Sequence, residues 1–202
     1  MNKLISLLVL MAFAGVAGSV NAAGSAVAGK GRSAVCAGCH GADGNSAAPN
    51  FPKLAGQDGQ YIAKQLADFK SGARKDPTMA GMAAALSKKD MEDLGAYYAS
   101  QKRGTGTTSA SAADLKKAER LYRGGDAKNG IPACMSCHGP AGVGIPPQFP
   151  AVSGQHATYS QKQLLDFKTG TRHNDGEVMT RTAFRLSEAE IKAVSEYMAA
   201  LR

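Results

Sequence analysis

The pentapeptide Cys36-Ala37-Gly38-Cys39-His40 returns 98 residues later as Cys134-Met135-Ser136-Cys137-His138, and the two copies use all 4 cysteines of the chain. C-x-x-C-H is the pattern of covalent haem attachment. Two thiols three positions apart can each add to one vinyl group of a porphyrin, and the histidine that follows offers its imidazole to the iron from one face. Other uses of paired cysteines fit less well. Zinc ribbons separate their pairs by about 15–20 residues, and a thioredoxin-like pair closes a strand of an α/β pattern. No such strand precedes either copy here. A disulfide framework would leave both histidines without a task. The chain is therefore expected to hold two covalent haem c groups, one through Cys36 and Cys39 and one through Cys134 and Cys137, with His40 and His138 as iron ligands.

The repeat extends well beyond the motif. At a constant offset of 98, Pro49, Phe51-Pro52, Gly56-Gln57, Tyr61, Lys64-Gln65-Leu66, Asp68-Phe69-Lys70, Gly72 and Arg74 match Pro147, Phe149-Pro150, Gly154-Gln155, Tyr159, Lys162-Gln163-Leu164, Asp166-Phe167-Lys168, Gly170 and Arg172. The offset then becomes 100, pairing Met79 with Met179, Leu86-Ser87 with Leu186-Ser187, and Tyr97 with Tyr197. A two-residue insertion near Asn174 to Glu177 accounts for the change. Residues 103–111 are rich in Gly, Ser and Thr and carry no apolar period, so they read as a linker. Two tandem domains follow, 23–102 and 112–202.

Residues 1–22 read as a signal peptide: Lys3 supplies the positive end, Leu4 to Val16 a short apolar run, and Val20-Asn21-Ala22 small residues for cleavage. An uncleaved anchor is the alternative, although the run is short for a bilayer. Export suits covalent haem, which is attached outside the cytoplasm.

Each domain reads as all-α, with about three main helices and irregular haem-wrapping loops. The first spans Ala26 to Val35 or Ala113 to Arg123, the second Gln60 to Lys70 or His156 to Lys168. The third opens at Ser87 or Ser187, each placed to cap its own helix. Behind these serines Met91, Leu94 and Tyr98, and Ile191, Val194 and Met198, form an apolar stripe. A domain of ~80 residues is marginal on protein packing alone, and a haem would supply apolar volume.

A second axial ligand decides between a carrier and an enzyme. Methionine suits it, and both Met79 and Met82 stand downstream of the first motif. The repeat favours Met79, because Met82 aligns with Thr182 while Met79 aligns with Met179. His156 and His173 have no counterparts and read as surface histidines. Tyr61 and Tyr159 do repeat, as pocket hydrogen-bonders or as plain helix-face aromatics. With His and Met on both faces the iron has no vacancy for substrate, which leaves outer-sphere electron transfer. The sequences around the methionines differ, Pro77-Thr78-Met79-Ala80-Gly81 against Glu177-Val178-Met179-Thr180-Arg181, so unequal potentials are expected.

C-x-x-C-H, a Pro-containing loop and a Met before a last amphipathic helix resemble class I cytochromes c. The tandem arrangement, with Gly41-Ala42-Asp43-Gly44-Asn45-Ser46 and Pro49-Asn50-Phe51-Pro52-Lys53-Leu54-Ala55-Gly56-Gln57, is similar to the dihaem cytochrome c4 family over the whole mature chain. The resemblance implies a pseudo-twofold pair of domains whose haem edges face each other, and carbonyls of Pro49 and Pro147 that orient His40 and His138. It implies a monomeric periplasmic electron carrier, sometimes loosely membrane-associated. Such a carrier takes electrons from a cytochrome bc complex or similar donor and delivers them to a terminal cytochrome c oxidase. Two other roles share the architecture: the electron-accepting dihaem subunit of an enzyme such as a flavocytochrome sulfide dehydrogenase, and a catalytic dihaem enzyme, which would make its two haems unequal in ligation.

The formal charge of +8 is spread along the chain. Residues 23–104 hold eleven basic and seven acidic side chains, and 105–202 hold twelve and nine. Four haem propionates would reduce the excess further. Nothing in this scattered basicity reads as a nucleic-acid surface, and mild attraction to acidic partners or anionic lipid is the most it supports.

Overall fold

The computed structural model describes residues 24–202; the segment read as a signal peptide lies outside the described residues. Two similar helical halves follow each other, joined by an irregular stretch that runs to the next helix at Ala112. Among the described residues there is no β-strand, only two isolated bridges, Asp126 with Ile131 and Ile145 with Phe149.

In the first half α1 (Ala26–Arg32) leads through a 3-10 turn into α2 (Ala37–His40), and α3 (Gly59–Ser71), α4 (Pro77–Ala84) and α5 (Lys88–Ala99) complete it. The second half runs α6 (Ala112–Gly124), α7 (Met135–His138), α8 (Ala157–Lys168), α9 (Val178–Arg185) and α10 (Glu188–Ala200). The three expected helices per half are present. The structure adds two short ones, the turn of the cysteine motif (α2 or α7) and a helix around the methionine (α4 or α9). Asp76 caps α4 by accepting from Met79 N–H at 2.9 Å, with Pro77 in the first turn. In the second half Asp175 does this work, accepting from Thr180 N–H at 2.7 Å, while Glu177 takes a left-handed φ of 69°. The two-residue insertion thus builds a different entry into an equivalent helix.

The last helices start as their sequences promise. Ser87 and Asp90 cap each other reciprocally at α5, and Ser187 and Glu190 do so at α10. Behind those caps the cores differ in extent. Ile62, Leu94, Tyr97 and Tyr98 form the first, with Cys36, Leu54, Leu66 and Leu86 packed against it half-buried. The second is larger, running from Ala118 and Tyr122 through Leu164 and Phe167 to Ile191, Val194 and Met198, and it touches Cys134 and Met179. In both halves the first cysteine of the C-x-x-C-H motif borders the core.

Close helix crossings hold the first half together. A Cβ at Gly29 of α1 would lie 1.9 Å from the Asp93 carbonyl oxygen, and one at Gly95 of α5 would lie 2.3 Å from the Gly59 carbonyl oxygen. Gly29→Ala or Gly95→Ala must separate two helices, at an expected cost of about 1–3 kcal/mol. Urea unfolding should show the first half's midpoint falling with its slope unchanged.

Ser25 and Arg32, at the two ends of α1, are tied to α5 by charge. Asp93 accepts from Lys89 and from Ser25 N–H, the latter at 2.5 Å, and Arg32 pairs with Asp90 at 2.6 Å. The Lys89 bond first, and the Ser25 N–H second, hold the Asp93 carboxyl below the ordinary carboxylate range. Because the folded value is depressed below an unfolded one near ~3.9, this contribution is complete above that value and is lost as pH falls through the folded pKa. Asp93→Asn should therefore be less stable than the parent at neutral pH. The gap should close below about pH 4, read as urea midpoint against pH.

Candidate haem sites and the interface between them

Each C-x-x-C-H motif forms one helical turn. His40 N–H donates to Cys36 O at 3.0 Å, and His138 N–H to Cys134 O at 2.9 Å. Cysteines at i and i+3 thereby share one face. Gly41 and Gly139 follow with φ of 80° and 77°, which ends the turn and reverses the chain. Burial lowers the pKa of His40 and His138, so both imidazoles are neutral, the form that binds a metal. Burial also raises the Cys36 thiol, and pushes Cys134 up to about 11.

The imidazoles are held from behind. His40 Nδ1 lies 2.8 Å from Pro52 O, and His138 Nδ1 lies 2.7 Å from Pro150 O. A carbonyl can only accept, so Nδ1 carries the proton and Nε2 keeps the lone pair an iron needs. The resemblance had assigned these carbonyls to Pro49 and Pro147, and the structure corrects that by three residues. Pro49 and Pro147 are exposed in the loop; Pro52 and Pro150 sit half-buried where the loop returns over the ring. Phe51 and Phe149 precede them, each meeting its imidazole edge to face with centroids 6.4 Å apart. Phe-Pro at the constant offset was the available signal.

These residues fit haem. Each half presents a half-buried thiol pair on one helical turn and a neutral imidazole with Nε2 free of its carbonyl. A methionine stands in the first turn of α4 or α9. Met79 and Met179 are both half-buried, and Met179 borders the same core as Cys134. Met82, the alternative, is 40% exposed. The zinc alternative finds no assembled ligand set, since no group of three metal-binding side chains gathers among the described residues.

The halves meet through a crossed arrangement. Arg74 donates to Gln65 of its own half at 2.8 Å, and to Tyr159 OH and Gln163 of the other at 2.9 and 2.7 Å. Arg172 mirrors it, donating to Gln163 at 2.8 Å and to Tyr61 OH and Gln65 at 3.1 and 3.0 Å. Both guanidinium groups are buried, stacked on Phe69 and Phe167 at 4.6 and 4.4 Å. Burial opposes the Arg74 charge, but the Tyr159 and Tyr61 oxygens outweigh it and the net shift is upward. Tyr61 and Tyr159 are thus interface residues. Asn174, from the insertion, bonds Gln65 at 3.1 Å and Asp68 at 2.5 Å, which adds an asymmetric contact. His156, expected on the open surface, places Nε2 3.0 Å from Ser46 O across the interface; His173 is exposed, as expected.

A second crossed pair lies beside the proline carbonyls. Gln57 donates to Ala151 O at 2.9 Å and accepts from Ala151 N–H at 3.0 Å. Gln155 does the same to Lys53, at 2.9 Å for both bonds. The joining stretch is fastened to both halves: Arg103 reaches Ser153 of the second at 3.0 Å, and Gly104 N–H donates to Asn45 of the first at 2.7 Å.

The cytochrome c family model matches residues 22–102 and again residues 107–202. Cytochrome c4 of Pseudomonas aeruginosa is 48% identical over 204 residues, covering 100% of both chains. A thiosulfate dehydrogenase electron acceptor of Stutzerimonas stutzeri is 43% identical, over 81% of this chain and 77% of its own. The solved structure of reduced recombinant cytochrome c4 from Pseudomonas stutzeri superposes with a TM-score of 0.84 at 48% identity, covering 89% of this chain and 100% of that one.

Removing one buried guanidinium cuts bonds to both halves. Arg74→Ala takes one donor each from Gln65, Tyr159 and Gln163, the two glutamine oxygens keeping Arg172, with an expected loss of about 2–4 kcal/mol. Tyr159→Phe removes one bond only and should cost about 1 kcal/mol, both measured by urea unfolding.

Proposed function

This chain belongs to the dihaem cytochrome c4 family, and on that premise we propose that it is a periplasmic shuttle. It takes single electrons from a cytochrome bc complex or similar donor and passes them to a terminal oxidase. The supporting observation is that both halves repeat one set of residues: a proline-held imidazole and a half-buried methionine in the first turn of a helix. An enzyme that binds substrate at iron needs one of those positions open. We assign Cys36, Cys39, Cys134 and Cys137 to the thioether bonds, His40 and Met79 to the first iron, and His138 and Met179 to the second.

Haem c in such a setting supplies one-electron chemistry at iron, and thioether ligation favours the ferrous state relative to a second imidazole. The protein's part is to hold. Pro52 and Pro150 orient the imidazoles, and the cores beside Cys36 and Cys134 keep solvent from one side of each site. Residues 23–102 and 112–202 are the two functional domains in this reading, and residues 1–22 the export signal. No described helix is long and apolar enough to cross a membrane. Any contact with lipid in this reading is peripheral, through the mild basic excess.

A second reading makes the chain the electron acceptor of a thiosulfate-oxidising enzyme, in place of the flavoprotein partner considered from sequence. The 43% identity to a protein of that name favours it. Similarity favours the shuttle, since the cytochrome c4 relative is 48% identical over 100% of this chain and the acceptor 43% identical over 81% of it.

An optical redox titration of the purified protein tests the reading. Two one-electron steps are expected, each removing part of the long-wavelength charge-transfer band of ferric iron bound to methionine. Met79→Ala and Met179→Ala should each abolish one share of that band, and Met82→Ala neither. Absence of the band, or ready carbon monoxide binding by either ferrous haem in the folded protein, would contradict it. Purification in a stable complex with a thiosulfate-oxidising enzyme would favour the second reading.

A further inference from the structure

The crossed glutamines touch the peptide groups that hold the iron ligands. Pro150 C=O, which accepts from His138 Nδ1–H, and Ala151 N–H, which donates to Gln57 Oε1, belong to one planar peptide unit. Pro52 C=O and Lys53 N–H form the matching unit, bonded to His40 Nδ1–H and Gln155 Oε1. Both atoms of each amide face the neighbouring half's backbone, N–H against C=O and C=O against N–H, so each side chain has one orientation. It is anchored at home as well: Gln57 Oε1 also accepts Asp58 N–H, and Gln155 Oε1 accepts His156 N–H, both at 3.0 Å.

An acceptor on a peptide N–H makes the carbonyl of the same unit a better acceptor, because hydrogen bonds in a chain polarise one another. A better acceptor on Nδ1–H makes the imidazole a stronger donor to iron. We propose that Gln57 and Gln155 are crossed positioning residues, each tuning the haem iron of the opposite half through the proline peptide that holds its histidine. The proposal rests on His40 and His138 being the iron ligands. It means that the reduction potential of each haem depends on a side chain of the other domain. Gln57 is buried and Gln155 is half-buried, so the haem bound by His138 should be the more sensitive.

The sign follows from the chain of bonds. Losing the glutamine weakens the proline acceptor, makes the imidazole a poorer donor, destabilises ferric iron and raises the potential. Spectroelectrochemical titration of holoprotein carrying Gln57→Met should show the second haem's wave raised. The expected change in its ferrous-to-ferric ratio is about two- to threefold, or ~18 to ~28 mV at 59 mV per decade. The first haem's wave should stay in place. Gln155→Met should do the reverse. Each wave is assigned by the shift that replacing Met79 or Met179 with His produces. Gln57→Glu keeps an oxygen toward Ala151 N–H and should not raise the second wave, which covers the case in which the Met variant does not fold. Tyr61→Phe and Tyr159→Phe cut other cross-interface bonds and serve as controls for a loosened seam.

A shift of the variant's own haem, equal shifts of both, shifts matched by the tyrosine controls, or no shift would each overturn the proposal. Failure of the ligand reading looks different. It would appear in the parent protein, as a missing ferric-methionine band, before any glutamine is changed.

Discussion

An imidazole that is to bind iron has to be held in one tautomer and one orientation, and here a single hydrogen bond does it in each half. Nδ1 of His40 or His138 gives its proton to a proline carbonyl at 2.8 or 2.7 Å. Much else in the fold follows from that bond. The loop must return over the ring to deliver the carbonyl, which uses the left-handed glycine after each histidine. The loop's own backbone must then be fixed, and the opposing glutamine supplies the fixing bonds. A loop of this kind has few apolar groups to bury and would otherwise be among the least stable parts of the chain.

The interface therefore serves the sites and does more than join two domains. Its hydrogen bonds cross, with each half's Arg reaching the other half's Tyr and Gln, and each half's Gln reaching the other half's loop. Buried guanidinium groups satisfied by neutral acceptors keep their charge at a real desolvation cost. That cost is met by specific geometry, since one register alone pairs Gln57 with Ala151 and Gln155 with Lys53 at the same time. The first half has the smaller apolar cluster, four buried residues against twelve in the second.

The attachment motifs, the tandem organisation, the three principal helices of each half and the caps at Ser87 and Ser187 were legible in the sequence, because each is a local pattern with a fixed chemical reason. The short helices bearing Met79 and Met179 were not, although Asp76-Pro77 is a helix start in retrospect; their apolar period is too brief to register. The carbonyl partners, which the resemblance implied at Pro49 and Pro147, lie three residues on; Pro49 and Pro52 repeat equally well, so the repeat could not correct this, and only the path of the loop separates them. Tyr61, Tyr159 and His156 were hidden for a different reason. A repeat tells which residues are equivalent, but contacts across a pseudo-twofold seam join residues that are not equivalent, and one chain read in order gives no sign of them.

Each half completes the loop behind the other's histidine, and amide hydrogen exchange of the folded ferrous holoprotein is the measurement that checks this. Lys53 and Ala151 lie in irregular loops, yet their N–H groups are bonded to Gln155 and Gln57 across the seam. Both amides are expected to exchange as slowly as those of the buried helices α5 and α10. Exchange at the rate of the neighbouring exposed loop residues would show that the crossed bonds do not persist in solution, and would contradict that mutual completion.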